Sequence, residues 1–133
     1  MDCLFCAIIA GDVPSRQVYA DEAAVAFLDI NPWHRGHTLV VPRRHIVDAL
    51  SQPEGLSEIS PAINATGQLL LERLDAAGLN VLVNSGAVAG QEVFHLHAHL
   101  IPRYEDRPGM AGLMQREPDI DLDEVHRRIL TGS

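Results

Sequence analysis

Three histidines at alternate positions, residues 95, 97 and 99, constrain the fold of this chain more than any other feature. Small or apolar residues separate them, and alternation with a period of two is typical of a β-strand. Successive side chains of a strand point to opposite faces, so the three imidazoles are predicted to share one face. The apolar residues between them are expected to fill the other face.

Two kinds of chemistry fit three imidazoles on one face of a strand. A His-x-His pair can chelate a metal, because same-face neighbours lie only ~6.6–6.8 Å apart along the backbone. Alternatively, the central ring is a nucleophile, and its neighbours orient it and hold a phosphate. Three histidines in register are poorly explained as surface decoration of a strand, and the pattern alone leaves both chemical interpretations open.

Size and charge narrow the class of protein. A chain of 133 residues with 47% hydrophobic residues predicts one domain with a substantial core. The net charge of −8 argues against nucleic-acid partners, although a mononucleotide needs only a local site. No apolar run approaches ~20 residues and the N-terminus lacks a signal-peptide pattern, so we expect no membrane association and a cytoplasmic location.

Apolar periodicity and turn residues predict few helices and several strands. The predicted helices are 4–10, 53–76 and 119–130, the predicted strands are 18–19, 24–28, 37–42, 80–84 and 93–103, and 105–118 is an irregular arm. Pro61 either kinks the main helix or marks its first turn, and Gly78 is its expected C-cap. Hairpin-like connections and one long helical connection predict an α+β fold with an antiparallel sheet.

Several motifs resemble the histidine-triad (HIT) family, and most closely its Hint-like branch in the bacterial form. They are Cys3–Ile9, Ala26–Pro32, Gly36–His45, Val83–Gly86, Gly90-Gln91 and His95–Ile101. The resemblance covers residues 1–104, which we interpret as a HIT domain, with 105–133 as a C-terminal arm and helix packed on it. It implies a five-stranded antiparallel sheet with a short N-terminal helix, one main helix and a C-terminal helix. It also implies a homodimer whose two sheets join into one of ten strands.

The resemblance implies a hydrolase or transferase that cleaves NMP–X at the α-phosphate, with an adenosine phosphoramidate or acyl-adenylate as substrate. His97 is then the nucleophile that forms a covalent nucleotidyl-histidine, the carbonyl of His95 orients it, and His99 donates to a phosphate oxygen. The implied contacts to an AMP-type purine nucleotide are Asp29 with the ribose, Asn84 and Gln91 with the phosphates, and Leu4, Phe5, Ile8 and Phe27 with the base.

Glu92 departs from the family pattern, because several branches carry Ser or Thr there as a contact to the leaving group. A carboxylate at that position suits a departing amine better than a departing anion.

Cys3-x-x-Cys6 is half of a metal site in its spacing, although two reduced thiols or a redox pair are alternatives. The resemblance implies a structural zinc bound by Cys3, Cys6, His45 and His95. The remaining histidines, His34, His37 and His126, are interpreted as surface or packing residues.

Three other functions stay open at this point. One is hydrolysis of a dinucleoside polyphosphate, and another is a nucleotide-binding sensor or scaffold with little turnover. The third is a metalloprotein that uses His97 and His99 as ligands.

Overall fold

Five antiparallel strands form the sheet that organises the chain in a computed structural model, which describes residues 3–133. Residues 1 and 2, the first of the predicted domain, lie outside the described part. The strands are β1 Gln17–Ala20, β2 Ala24–Leu28, β3 Thr38–Pro42, β4 Gly78–Val83 and β5 Ala98–Arg103, and the helices are α1 Leu4–Ala10, α2 Gly55–Leu74, α3 Gly109–Leu113 and α4 Leu122–Thr131. Their order across the sheet is β1-β2-β3-β5-β4, and the predicted α+β class and five-stranded antiparallel sheet are confirmed.

The sheet is covered on both faces, by different helices. Ala24, Ala26, Leu28, Val40, Ala98 and Leu100 pack with Ile59, Leu70, Val125 and Ile129 of α2 and α4. Phe5 of α1 packs with Val25, Phe27, Leu39 and Val41 on the opposite face. Strands β2 and β3 are therefore buried throughout, which is why their sequences are continuous apolar runs. Helix α1 covers only part of its face, and the rest is available to the histidines.

The main helix corrects two predictions. It begins at Gly55, so Pro61 lies inside it and does not mark its first turn. Its C-cap is Asp75, which adopts the left-handed conformation with φ 58°, whereas Gly78 begins β4. Aspartate tolerates this conformation better than most residues, because its short polar side chain bonds locally.

The histidine segment is a strand only in part, because residues 93–95 bend and the predicted start at residue 93 is wrong. Strand β5 starts at Ala98, where it pairs with Val40 on β3 and with Val83 on β4. Before that point the backbone N–H of Leu96 donates instead to the carbonyl of Ile46, at 2.6 Å. His95 and His97 therefore lie in the irregular segment that leads into β5, and only His99 of the three pairs with neighbouring strands.

The C-terminal residues pack back onto the sheet and α2. Val125 and Ile129 of α4 join the main core, and the Arg73 guanidinium donates to the carbonyl of Ile129 at 2.8 Å. The arm predicted to be irregular contains the short helix α3. Within residues 3–133, no helix combines the length and apolar character needed to cross a bilayer.

Candidate active site

A backbone carbonyl fixes the protonation of the His97 ring. Nδ1 of His97 lies 2.8 Å from the carbonyl oxygen of His95. A carbonyl can only accept, so Nδ1 of the neutral ring carries the proton and Nε2 keeps a lone pair. The ring is largely buried, and the edge-on ring of Phe5 lies 5.1 Å away between centroids. This arrangement gives the central histidine of the triad an unprotonated ring nitrogen.

A chain of hydrogen bonds places the proton of His99 on Nε2, whereas that of His97 lies on Nδ1. The backbone N–H of Trp33 donates to Nδ1 of His37 at 3.0 Å, so the proton of His37 lies on Nε2. That Nε2–H is 2.9 Å from Nδ1 of His99 and donates to it. The remaining nitrogen of His99, Nε2, therefore carries a proton and is a hydrogen-bond donor.

His37 is the site residue that the sequence reasoning missed. It was assigned to the surface or to packing, but its side chain is 2% exposed and is bonded to the triad. The assignments of His34 and His126 to packing are consistent with their contacts, since His34 donates to the carbonyl of Leu113 and His126 to that of Gln17. The signal for His37 lies in strand register, because Leu39, two residues after His37, pairs with His99 across β3 and β5.

Burial keeps the supporting rings neutral near pH 7. It lowers the pKa of His37 to about 4, against the opposing attraction of the Asp29 carboxylate, whose Oδ2 is 3.5 Å away. Burial also lowers the pKa of His99 to about 4, and the nearby rings of His37 and His97 add to the effect. A neutral His99 presents one fixed N–H, as the proton assignment above requires.

The rings of His97 and His99, with centroids 4.9 Å apart, line an open cavity of about 610 Å³. This volume falls in the range of ~300–1,000 Å³ that is usual for small-molecule sites. Of the predicted contact residues, Leu4, Phe5, Ile8, Phe27, Asp29, Asn84 and Glu92 line it. The structure therefore gathers in one cavity predicted site residues that are up to 95 positions apart, such as Leu4 and His99.

Gln91 braces the loop of residues 85–90 instead of lining the cavity. Its buried side chain accepts from the N–H of Gly86 at 2.9 Å and donates to the carbonyls of Val47 and Val93. Its own backbone N–H donates to the carbonyl of Gly86 at 3.1 Å. Glu92, in contrast, is exposed at the cavity wall and has no hydrogen-bond partner within residues 3–133.

Glycine is needed in this loop beside Asn84. Gly90 has φ +106°, and a Cβ added there would lie 3.3 Å from Nδ2 of Asn84. The loop therefore follows Asn84 closely, and a larger residue at Gly90 would both strain the backbone and push that amide.

Cys3, Cys6, His45 and His95 converge on one point, as the resemblance implied. Their ligand atoms all lie within 4.8 Å of one another. Nδ1 of His95 is 3.4 Å from Sγ of Cys3, 3.6 Å from Sγ of Cys6 and 3.2 Å from Nδ1 of His45. Tetrahedral zinc, with Zn–N near 2.0–2.1 Å and Zn–S near 2.3 Å, requires donor separations of roughly 3.3–3.8 Å.

The proton of the His95 ring also fits metal binding. Its Nε2 lies 2.8 Å from the carbonyl of Pro42, so Nε2 carries the proton and Nδ1 presents a lone pair to the two sulfurs. Two thiols and two imidazole nitrogens form a closed set typical of structural zinc. These four residues could therefore hold a zinc ion.

Asp29, His37 and His99 also lie close enough to be considered as metal ligands. However, the facing nitrogens of His37 and His99 already share a hydrogen bond of 2.9 Å. This trio is therefore explained by its own hydrogen bonding, and the Cys₂His₂ set fits a metal better.

Comparison with known proteins agrees with this geometry. The model of the HIT domain family matches residues 10–106. A HIT-like protein of Methanocaldococcus jannaschii is 44% identical over 128 residues, which are 96% of this chain and 98% of that protein. An adenylylsulfatase of Arabidopsis thaliana is 33% identical over 131 residues, which are 98% of this chain and 66% of that protein.

Solved structures share the fold over nearly the whole chain. A zinc-bound histidine triad family protein from Mycobacterium smegmatis has a TM-score of 0.78 at 37% identity, covering 99% of this chain and 93% of its own. A histidine triad nucleotide-binding protein from Sulfolobus tokodaii has a TM-score of 0.82 at 30% identity, covering 98% and 91%. The family model, the sequence relatives and the shared fold lead to one conclusion: this chain belongs to the histidine-triad family.

Proposed function

We propose that this chain cleaves nucleotide substrates of the type NMP–X at the α-phosphate, with His97 as a covalent nucleophile. The observation that carries the proposal is the bond from Nδ1–H of His97 to the carbonyl of His95, at 2.8 Å. It leaves Nε2 unprotonated, and His97 lines the cavity. A fixed tautomer removes the need to select the reactive form of the ring at the moment of attack.

The reaction divides one displacement into two. In the first step the lone pair of His97 Nε2 forms a bond to the α-phosphorus, and the P–X bond breaks with its electron pair leaving on X. In the second step water attacks the same phosphorus, the P–N bond breaks, and its electron pair returns to Nε2. A departing amine X takes up one proton in the first step, and water releases one proton in the second, so the net products are protonated X and NMP, and His97 is regenerated.

His99 stabilises negative charge on the phosphoryl group in both steps. Its Nε2–H is held as a donor by the chain from Trp33 through His37. A donor fixed before the reaction need not reorganise as charge develops on the non-bridging oxygens. Asn84, which also lines the cavity, is proposed as a second phosphate contact.

The cavity supports an AMP-type nucleotide as the bound part of the substrate. Leu4, Phe5, Ile8 and Phe27 form an apolar wall suited to a purine base. Asp29 borders the same cavity, and its Oδ1 accepts from the N–H of Asn31 at 2.8 Å, which orients the carboxylate. We propose that this carboxylate accepts from the ribose hydroxyls. Gln91 is proposed to act indirectly, by holding the loop that follows Asn84.

The bond cleaved is proposed to be a phosphoramidate or an acyl-adenylate linkage. One relative is named an adenylylsulfatase, which favours a sulfate-linked nucleotide as a second candidate substrate. Hydrolysis of dinucleoside polyphosphates, and binding with little turnover, are the remaining alternatives that the experiment below distinguishes.

We also propose a structural zinc ion at Cys3, Cys6, His45 and His95. When bound, zinc supplies cross-linking between the start of α1 and the triad segment, without reacting itself. Reduced thiols suit a cytoplasmic location, and a homodimer joined through the sheets is proposed from the family resemblance.

Activity on a panel of substrates tests the proposed function. Wild-type protein and His97→Ala would be compared on adenosine phosphoramidate, an acyl-adenylate, adenylyl sulfate and a diadenosine polyphosphate. We expect turnover of at least the first and loss of nearly all of it in the variant, which should still bind AMP. Negligible turnover of the whole panel would favour a binding role, and full activity of the variant would exclude His97 as nucleophile.

A further inference from the structure

A stacked arginine and tryptophan occupy one wall of the cavity, and the mechanism above does not use them. The Cζ atom of Arg116 lies 5.5 Å from the ring centroid of Trp33, within the ~6 Å of a cation–π contact. Both residues line the cavity that contains His97 and His99. Arg116 comes from the C-terminal arm, and Trp33 from the loop between β2 and β3.

The arm is fixed to that loop by three hydrogen bonds. The backbone N–H of Glu117 donates to the carbonyl of Trp33 at 2.8 Å, and its side chain accepts from the N–H of Arg35 at 3.1 Å. Nε2–H of His34 donates to the carbonyl of Leu113 at 3.0 Å. The backbone on both sides of Arg116 is therefore held against the cavity rim, and its position does not depend on the side chain's own contacts.

The guanidinium of Arg116 is also free to bind an anion. Eight of the ten arginines donate to, or pair with, a carboxylate, amide or carbonyl oxygen within residues 3–133: 16, 35, 43, 44, 73, 103, 107 and 128. Arg116 and Arg127 make no such contact within the described chain. Trp33 holds Arg116 by its π-face and leaves the N–H groups in the guanidinium plane unused.

The negative charge of the chain and of the cavity makes Arg116 unusual among the residues that line it. The chain carries a net charge of −8, and the cavity wall includes the carboxylates of Asp29 and Glu92. Among the described residues that line the cavity, Arg116 is the one Lys or Arg. Its charge acts on the ring that supports His99, since Arg116 is one of the influences that lower the pKa of His37, after burial and against Asp29.

We propose that Arg116, supported by Trp33, is a specificity-determining subsite for an oxyanion carried by the leaving group X. This inference rests on the proposed function, because it assigns the class of X that the same cavity accepts. A planar guanidinium held on an aromatic ring matches the two oxygens of a carboxylate, or two oxygens of a sulfate or phosphate. Glu92, which also lines the cavity, carries a negative charge that opposes anions, so the two residues together bear on where an anionic group binds.

The test uses substrates that differ only in the charge of X. Phosphoramidates of AMP with glycine or with 4-aminobutanoate place a carboxylate at two distances from phosphorus, and their carboxamides keep the same P–N bond. The quantity measured is kcat/KM for each carboxylate divided by kcat/KM for its carboxamide. Arg116→Gln should lower this ratio about tenfold for at least one chain length, since it removes charge-assisted hydrogen bonds at a site that is partly open to water. Arg116→Lys should keep part of the preference.

Arg127→Gln is the matched control, because it removes the other uncommitted arginine from α4 and should leave the ratio unchanged. An equal ratio in wild type and Arg116→Gln for both lengths, or an equal fall in Arg127→Gln, would overturn the inference alone. If wild type cleaved none of the four substrates, the proposed function would fail together with it.

Discussion

At the residue scale, the site works by fixing where protons lie. Each of the three triad rings has one nitrogen committed to a defined partner: Pro42 for His95, the carbonyl of His95 for His97, and His37 for His99. The free nitrogens then differ in the roles proposed for them, as a metal ligand, a nucleophile and a donor. The alternating pattern in the sequence identified these rings. It could not identify partners such as Pro42 and His37, because they lie far away in the chain and a local pattern does not show which distant segments meet.

The buried ring of His37 and the half-buried ring of His99 should make stability depend on pH. Their folded pKa is about 4, below the ordinary unfolded value near 6.5. Between these values the unfolded chain binds protons that the folded chain does not, so the free energy of unfolding falls as pH falls from about 6.5 to about 4. Above about pH 6.5 both rings are neutral in the folded and the unfolded chain, so their full contribution to the free energy of unfolding is present. Urea unfolding of wild type and His99→Asn at pH 7 and pH 4.5 checks this.

Asparagine can still accept from His37 but does not titrate, so it removes one of the two groups. Wild type should lose more stability than the variant over this interval, by on the order of 2 kcal/mol. Carboxylates and metal ligands affect both proteins alike and cancel in the difference. Parallel pH dependences would contradict the assigned burial of His99.

At the element scale, α1 connects the proposed metal site to the proposed nucleotide pocket. The helix has seven residues, Cys3 caps its N-terminus, and Cys6 lies in its first turns. A helix this short is marginal on its own, so tertiary contacts must hold it. The ring of Phe5 then contacts His95 and His97, with centroids 5.9 Å and 5.1 Å away. Cys-x-x-Cys spacing alone would not distinguish this arrangement from two reduced thiols.

Metal removal should therefore affect nucleotide binding as well as stability. We expect elemental analysis of protein purified without added metal to find about one zinc per chain. Chelation, or Cys3→Ser, should lower Tm and raise the Kd for AMP about tenfold, because Leu4, Phe5 and Ile8 lose their fixed support.

Adding zinc back should restore both quantities in the chelated wild type but not in Cys3→Ser. Less than about a tenth of an equivalent of zinc would argue against a tight site. An unchanged Kd for AMP after complete metal removal would contradict the claim that the metal supports the part of α1 that contacts the nucleotide.

At the scale of the whole molecule, the sheet has one edge that a helix covers and one that exposes apolar side chains. At one edge, the carbonyl of Gln17 on β1 accepts from His126 of α4, which covers that side. At the other edge, β4 exposes Val81 and Leu82, which are 51% and 38% accessible. An uncovered apolar edge strand is an available pairing surface.

This edge is where we expect a homodimer to form. Sedimentation at micromolar concentration should give twice the 14.5 kDa of one chain. Val81→Glu should shift the protein towards monomer, because it places a charge on the pairing surface. Leu50→Glu, at an apolar residue 85% exposed away from β4, is the control and should remain dimeric. A wild-type particle of 14.5 kDa would contradict the predicted dimer.

The sequence predicted much of the whole molecule because periodicity and turn residues are local signals. The α+β class, the five strands and the main helix follow from them and from the family resemblance. Three features depend on non-local geometry and were missed: the start of β5 at Ala98, the bond from His37 to the triad, and the return of Arg116 to the cavity. Each is decided by which distant segments meet, and the C-terminal arm in particular has no periodic pattern to place it.

The central claim is that His97 carries the nucleotidyl group between two displacements, and trapping that group tests it most directly. Wild-type protein would be mixed with substrate labelled at the α-phosphorus and quenched rapidly without acid, because a phosphorus–imidazole bond hydrolyses in acid. The account predicts label on His97 during turnover, and none on His97→Ala although that variant still binds nucleotide. Turnover by wild type with no label on His97, together with full activity of His97→Ala, would contradict it.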